Sequence, residues 1–393
     1  MPDFPQPGVP PSSAAIACGG TGGHLFPGLA VAGELRQRGC AVTLLVSRKE
    51  VDQQAVRSVT GMEIVQLPAV GWSRGGFFGF ARGFWQSYRL ARRHFRRQPP
   101  ALVLAMGGFT SAPPVLAGKR SRARTFLHES NSIPGRANRW LAPWVDGAFV
   151  YFPAAAQRLR ARQVEVAGMP VRPEILQPLT AAETRAALGL APESPVLLVM
   201  GGSQGARKVN DLVLRSVPPL RQAAPDLQFF HLTGPDDFER VRAAYQAHHA
   251  RAKVHGFFDD MGVALAAADV AVSRAGASSL AELAARQLPA VLIPYPTAAD
   301  DHQYYNARAL AQSGAARLLQ QDTTTPGQLA DEILDLLRDA AKRAAMRQAL
   351  TAWHRPTAAA EMAERILHWN PEAGDSRAAE LKLKAHNVKE LRC

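Results

Sequence analysis

Apolar residues along this chain come in short runs, and most runs end in glycine. AAIAC (14–18) reads as a buried strand, GGTGGH (19–24) as a turn, and Leu29, Ala32 and Leu35 as the apolar face of a helix that stops at Gly39. AVTLLVS (41–47) and ALVLAM (101–106) are further strands, the second followed at once by GGFTSAPP, and TFLHES (125–130) is a strand edge leading into a turn. EVAGMPVRPEI (165–175) carries Pro170 and Pro173, which interrupt the alternation and mark a domain boundary. The pattern then restarts. PVLLVM (195–200), GGSQGARKVN and LQFFHLTG (227–234) repeat it, and 269–296 reads strand, turn, helix, strand. Two successive βαβ halves predict an α/β protein of two doubly wound domains facing a cleft. The predicted division is a leader (1–13), a first domain (14–172), a second (173–356), a helix at 357–368 packing back on the first domain, and a charged tail (369–393).

Composition narrows this picture without redrawing it. A chain of 393 residues with 47% hydrophobic and 20% charged residues is an ordinary globular balance, and no apolar run is long enough to span a bilayer. The proline-rich start does not read as a signal peptide. Cys18, Cys40 and Cys393 show neither metal nor disulfide spacing, which fits a reducing compartment. The net charge of +13 is unevenly placed. Between Glu63 and Glu129 there is no acidic residue, while that stretch holds eleven Lys and Arg residues. Such a patch suits a polyanion: nucleic acid, anionic lipid or a phosphorylated substrate.

A glycine turn between strand and helix offers free N–H groups and a positive helix end to an anion. Leu25 stands where G-x-G-x-x-G needs its third glycine, and the second strand ends in Ser47-Arg48 without the acid that holds an NAD ribose. No G-K-[ST] follows a glycine loop and no D-x-D occurs, so neither a Walker A site nor a metal-held diphosphate is expected. RAGASS (274–279), with Glu282 just beyond, offers small residues and hydroxyls to a phosphate and a carboxylate to a ribose; a plain helix cap explains the same residues. Asp300, Asp301, His302, Gln303 and Asn306 form a polar cluster suited to sugar hydroxyls.

Taken together, GGTGGHLFPGLAVA (19–32), MGGFTSAP (106–113), HESNSIPGRANRWLA (128–142), GMPVR (168–172), GGSQGARKVND (201–211) and the run from Phe257 to Ala307 resemble the MurG-type peptidoglycan glycosyltransferases, over roughly Ala14 to Leu367. The resemblance implies a GT-B fold of two Rossmann-like domains. It also implies inverting transfer of N-acetylglucosamine from UDP-N-acetylglucosamine to the C4 hydroxyl of the muramoyl sugar of lipid I, giving lipid II, with no cofactor and no metal. For the donor it implies Thr21, Gly22, Gly23, Asn131, Arg172, Ser203, Phe258, Ala277, Ser278, Ser279, Leu280, Ala281, Glu282 and Gln303. For the acceptor it implies Gly107, Gly108, Phe109, Gln204 and Asn138. His24 is the candidate base, with helix capping as its other reading, and Glu129 is the runner-up. Phe109, Ser130 and Met169 depart from the family's usual Tyr, Gln and Asn. A diacylglycerol galactosyltransferase-like enzyme and a UDP-sugar epimerase remain alternatives.

The family's acceptor is lipid-borne, which returns attention to the basic segment. In 71–97, Phe77, Phe80, Phe84, Tyr88 and Phe95 share one helical face, and Arg82, Arg89, Arg93 and Arg97 an adjacent one. Basic residues near anionic lipid contribute ~1 kcal/mol each. The expectation is peripheral binding to the cytoplasmic face of the bacterial plasma membrane through Trp72, Phe77, Phe80, Trp85, Arg82, Arg89 and Arg93; the competing reading makes the Phe stripe core. No RNP, zinc or helix-turn-helix signature supports nucleic acid as the partner.

Overall fold

The computed structural model describes residues 13–370 apart from 21, 50–51, 54–55, 57–58, 70–71 and 203, and no side chain at 22 or 72–75. Thr21, Ser203, the Trp72 side chain, the tail beyond 370 and the leader up to 12 therefore lie outside the described residues.

Two parallel sheets make up the molecule. The first has seven strands: β1 (Ser13–Ala17), β2 (Ala41–Ser47), β3 (Glu63–Leu67), β4 (Leu102–Ala105), β5 (Arg124–Glu129), β6 (Gly147–Val150) and β7 (Val164–Val166), in spatial order 3-2-1-4-5-6-7. The second has six: β8 (Val196–Met200), β9 (Gln228–Leu232), β10 (Arg251–His255), β11 (Val270–Ser273), β12 (Ala290–Leu292) and β13 (Arg317–Leu318), in order 10-9-8-11-12-13. Both are the doubly wound order, in which the chain reverses direction beside the first strand. That reversal opens a crevice between β1 and β4 in one domain and between β8 and β11 in the other. The four glycine turns at 19–24, 107–111, 201–205 and 274–279 stand at these two crevices, because they follow those four strands.

Central strands are wholly buried, as in Val196–Met200 and Leu102–Ala105, so they read as continuous apolar runs. The edge strands β3, β7, β10 and β13 are partly exposed and mix polar with apolar residues, which is why apolar runs did not reveal them. The 124–129 segment is not an edge: β5 pairs with both β4 and β6. The Ala358–Leu367 helix returns to the first domain. There Met362, Ala363 and Ile366 pack with Val31 and Leu35, and the Trp369 ring meets Phe126 edge-on at 5.0 Å.

The basic segment has one face in the core and another exposed. The Trp72–Arg97 helix buries Ser87, Ala91 and Phe95 and half-buries Phe84 and Tyr88 against the first sheet. Phe77, Phe78 and Trp85 stay 62%, 86% and 57% exposed, and Arg82, Arg89 and Arg93 are exposed as well. Gly76 breaks the helix with φ 55°, a left-handed conformation that favours glycine.

Candidate active site

The first crevice is built by two glycine turns that interlock. Gly20 has φ 109°, and a Cβ there would stand 3.0 Å from the Phe109 ring; Gly107 and Gly108 have φ 103° and 77°, and a Cβ on either would stand 3.0–3.1 Å from the His24 imidazole. Each turn thus packs an aromatic ring on the other's bare backbone. The Thr110 hydroxyl donates to Gly19 O at 2.7 Å and the Ser111 hydroxyl to Gly107 O at 2.5 Å.

Beneath them lies a residue that sequence reasoning missed. Asp52 is fully buried and accepts from Gly20 N–H at 2.6 Å and from the Ser47 hydroxyl and N–H. Lys49 Nζ donates to Gly20 O at 2.5 Å and sits 4.9 Å above the Phe109 ring. The acid absent from the end of β2 is supplied five residues later, and it grips the turn's own backbone. An acid shortly after β2 was the available signal.

His24 lies in the first turn of the Gly22–Gln37 helix and is half-buried. Burial, then the nearby His302 and Lys49, lower its pKa to about 4, so the imidazole is neutral at physiological pH. The same helix contains Pro27, which has no N–H for the carbonyl four residues back. That carbonyl, Gly23 O, instead accepts the Ser278 hydroxyl of the second domain at 3.2 Å. A proline inside a helix thereby frees the atom that joins the two glycine turns across the cleft.

Glu129 is buried, and its carboxylate accepts Asn131 N–H and Nδ2, Gly135 N–H and Asn138 Nδ2 at 2.8–3.2 Å. A carboxylate has about four lone-pair sites, so these donors engage all of them. Burial raises its pKa while these four donors oppose the rise. These bonds hold the 129–138 loop around Glu129, which also lines the cavity with His24. Asn138 lines the cleft, and its Oδ1 has no partner among the described residues.

At the boundary between the domains, Arg172 donates to Glu282 Oε1 of the second domain at 3.1 Å and stacks 4.2 Å from the Phe26 ring of the first. Burial raises the Glu282 pKa and the guanidinium opposes that rise. The Ala277–Ala285 helix starts here with Gly276 as its N-cap, and that cap has no side-chain hydrogen bond. Glu282 faces Arg172, so it is not the partner of a capping box. Arg274 turns away, donating to Ile293 O and Pro294 O at 3.0 Å each.

One cavity of about 1930 Å³ gathers Gly23, His24, Gly108, Phe109, Glu129, Asn131, Asn138, Arg172, Phe258, Ala277, Ser278, Ser279, Glu282 and Gln303. Gly22 begins the helix beside it, and Gly107 is buried under His24. Three candidates do not line this cavity. Leu280 and Ala281 face the core of the second domain, and the Leu280 N–H is taken by Gly276 O. Gln204 is exposed on its turn and does not line the cavity. The polar cluster also divides, since Asp300 pairs with Arg139 at 2.5 Å and Asn306 bridges the domains. Asn306 Oδ1 accepts Ser132 N–H at 2.8 Å, and its Nδ2 donates to Asn131 Oδ1 at 3.0 Å. Gln303 lines the cleft with its Oε1 accepting Tyr295 N–H at 3.0 Å. No group of three or more His, Cys, Asp or Glu capable of holding a metal occurs among the described residues.

Residues 14–150 match the glycosyltransferase family 28 N-terminal domain, and residues 196–365 match the family 28 C-terminal domain. The chain is 39% identical over 345 residues to a protein of Syntrophotalea carbinolica, covering 82% of this chain and 89% of that protein. It is also 39% identical over 365 residues to one of Sorangium cellulosum, covering 90% and 87%. Both relatives bear the name UDP-N-acetylglucosamine–N-acetylmuramyl-(pentapeptide) pyrophosphoryl-undecaprenol N-acetylglucosamine transferase. Among solved structures, Acinetobacter baumannii MurG superimposes with a TM-score of 0.69 at 28% identity, over 90% of this chain and 98% of that one. A Listeria monocytogenes protein described as a putative UDP-N-acetylglucosamine 2-epimerase also reaches 0.69, at 17% identity, over 90% of this chain and 95% of that one, a likeness of fold alone.

Proposed function

The chain belongs to glycosyltransferase family 28, among the MurG-type N-acetylglucosamine transferases, and from that premise we propose how its cleft works. The enzyme transfers N-acetylglucosamine from UDP-N-acetylglucosamine to the N-acetylmuramyl-pentapeptide carried on pyrophosphoryl-undecaprenol, the step that forms lipid II. The observation that carries the proposed roles is the meeting of both crevices in one cavity, with Ser278 touching Gly23 beside His24.

In this reading the donor lies against the second domain. Glu282 receives the ribose hydroxyls, Phe258 flanks the uracil, and the Ala277–Ser279 helix start and Arg172 face the diphosphate. Asn131 and Gln303 hold the transferred sugar. The acceptor's C4 oxygen attacks the anomeric carbon on the face opposite UDP, its proton passes to neutral His24, and the bond to UDP breaks with its electrons leaving on the diphosphate. Charge developing there is stabilised by the helix dipole and the guanidinium. An imidazole with a pKa near 4 is a weak base, but two bound diphosphates add negative charge that raises it toward neutrality.

Purified protein offered UDP-N-acetylglucosamine or UDP-galactose, with and without a muramyl-pentapeptide diphosphate acceptor, tests the reading. We expect UDP release only with the first donor and only with acceptor present; galactose preference or acceptor-free turnover would overturn it.

Among the described residues no helix is long and apolar enough to cross a membrane. The enzyme meets its acceptor at the anionic cytoplasmic face of the membrane, by a reading that rests on exposed Phe77, Phe78 and Trp85 beside Arg82, Arg89 and Arg93. Replacing Arg82, Arg89 and Arg93 with Glu should abolish co-sedimentation with anionic vesicles, and unchanged sedimentation would move the contact elsewhere.

A further inference from the structure

Asn131 and Gln303 line the cleft, Asn306 is buried beside Asn131, and backbone groups fix which way each of these three amides points. Asn306 stands on the His302–Gln312 helix of the second domain. One end of its amide meets Ser132 N–H at 2.8 Å, and a backbone N–H can only donate, so that end is Oδ1. The other end meets Ala275 O at 3.2 Å, and a carbonyl can only accept, so that end is Nδ2. Turning this amide over would set two donors against each other at Ser132 and two acceptors at Ala275. Nδ2 also donates to Asn131 of the first domain at 3.0 Å, which makes the facing atom of Asn131 its Oδ1. Asn131 Nδ2 is thereby turned toward Glu129 Oε1 at 3.2 Å and Ser130 Oγ at 3.3 Å, which engage both of its hydrogens. One capacity is left to Asn131, the second lone pair of Oδ1. Gln303 is set the opposite way: its Oε1 accepts Tyr295 N–H at 3.0 Å, so the end that remains is the Nε2 donor.

We propose that Asn306 is a positioning residue that sets the hydrogen-bonding polarity of the donor-sugar site, making Asn131 an acceptor-only contact opposite the donor contact of Gln303. The inference rests on the transferase reading above, in which Asn131 and Gln303 hold the transferred sugar. A freely turning asparagine could meet a sugar hydroxyl with either end of its amide, because a hydroxyl both donates and accepts. Here the amide of the second domain and the carboxylate of the first demand the same orientation. A sugar hydroxyl therefore gives its proton to Asn131 Oδ1, while Gln303 gives one to a sugar oxygen. Hydrogen or fluorine in place of the first hydroxyl leaves that lone pair empty, since neither donates. Asn306 reaches Asn131 from the other domain, so a residue of the first domain presents a defined atom to the donor only while the two domains stay joined here.

The test reads binding, because fluorine also slows cleavage of the bond to UDP. Calorimetry gives Kd for UDP, for UDP-N-acetylglucosamine and for its 3-, 4- and 6-deoxy and deoxyfluoro analogues. Wild type should lose ~5-fold or more in affinity at one ring position, equally for hydrogen and for fluorine, the size of one hydrogen bond left unmade. Asn131→Ala should bring that loss to within about twofold while Kd for UDP itself stays within about twofold of wild type. Asn306→Ser, too short to reach Asn131, should do the same by letting that amide turn. Asn306→Thr repeats the test should the smaller side chain disturb folding, with thermal melting as the check; a role in folding alone would move Kd for UDP as well. Fluorine bound as tightly as hydroxyl at every position, or a loss that persists in Asn131→Ala or in the Asn306 variants, overturns the proposal. No binding of any of these UDP compounds by wild type overturns the transferase reading itself and the proposal with it.

Discussion

The two domains repeat one topology, each with a parallel sheet reversing beside its first strand and two glycine turns at the reversal. Their crevices are nevertheless furnished in opposite ways. In the first domain the turns are locked to each other by rings on bare backbone, the buried anchor Asp52 holds Gly20 from below, and the one imidazole is held neutral. In the second domain the turn at 274–279 leads into a helix whose start is open, with the ion pair of Arg172 and Glu282 beside it. Topology places the loops, and side chains decide what each loop receives. In the proposed roles the first crevice takes the proton of a neutral hydroxyl and the second takes an anionic nucleotide with a diol.

The sharpest way to break this division is at His24. His24→Ala should lower kcat by ~10²–10⁴-fold, the range for loss of a general base, while leaving UDP affinity by calorimetry near wild type. Wild-type kcat in that variant would remove the imidazole from the chemistry. Glu282→Ala should do the reverse. UDP binding should weaken roughly 10- to 100-fold, since hydrogen bonds to a charged group are lost and Arg172 is left without its partner. The second effect belongs in donor Kd, so a kcat defect at unchanged Kd would blur the two crevices into one.

Which parts of this were legible beforehand follows from how local each cause is. Glycine turns could be read because they follow apolar runs directly and because the backbone conformation demands glycine. Gly107 and Gly108 at φ 103° and 77° are such positions. The neutral state of His24 could not be read, since it arises from burial and from His302, far away in sequence. Asn306 looked like a sugar ligand because its side chain is polar; only the fold shows that Ser132 N–H and Asn131 occupy it. The role of Pro27 was hidden for the same reason, because the carbonyl it frees meets Ser278 from the other domain. Helical spacing grouped the Phe stripe correctly along the helix, but Phe95 is core and Phe77 is surface.

A weaker effect should follow from loosening the first crevice without touching its imidazole. Asp52→Asn keeps the shape of the side chain but removes the charge that draws in Gly20 N–H and the Ser47 hydroxyl. Loss of charge-assisted bonds at a buried site costs about 1–3 kcal/mol, visible as a lower melting temperature. Acceptor KM should rise several-fold through the displaced turn, while donor Kd, which we assign mainly to the other domain, should hold within about twofold. A donor defect of equal size would mean the two crevices are mechanically coupled, most directly through the Gly23–Ser278 contact.

The smallest expected change is also informative. An ordinary histidine is roughly nine-tenths protonated at pH 5.5 and would cost a base-dependent reaction about tenfold in rate relative to pH 7.5. With its pKa at about 4 in the free enzyme, His24 stays neutral there, so kcat/KM should fall less than about twofold over that range. Acid also acts on the fold. Buried His128 and His231 have pKa values lowered by burial to about 4 and about 3, so the unfolded chain binds protons that the native one refuses. Stability contributed by these groups is therefore intact above the ordinary histidine pKa and declines as the pH drops below it. Melting temperature and kcat/KM measured in the same buffers separate the two processes. A kcat/KM that falls tenfold by pH 5.5 while the protein remains folded would place the imidazole in water-like surroundings and cancel the contrast between a neutral first crevice and a charged second one.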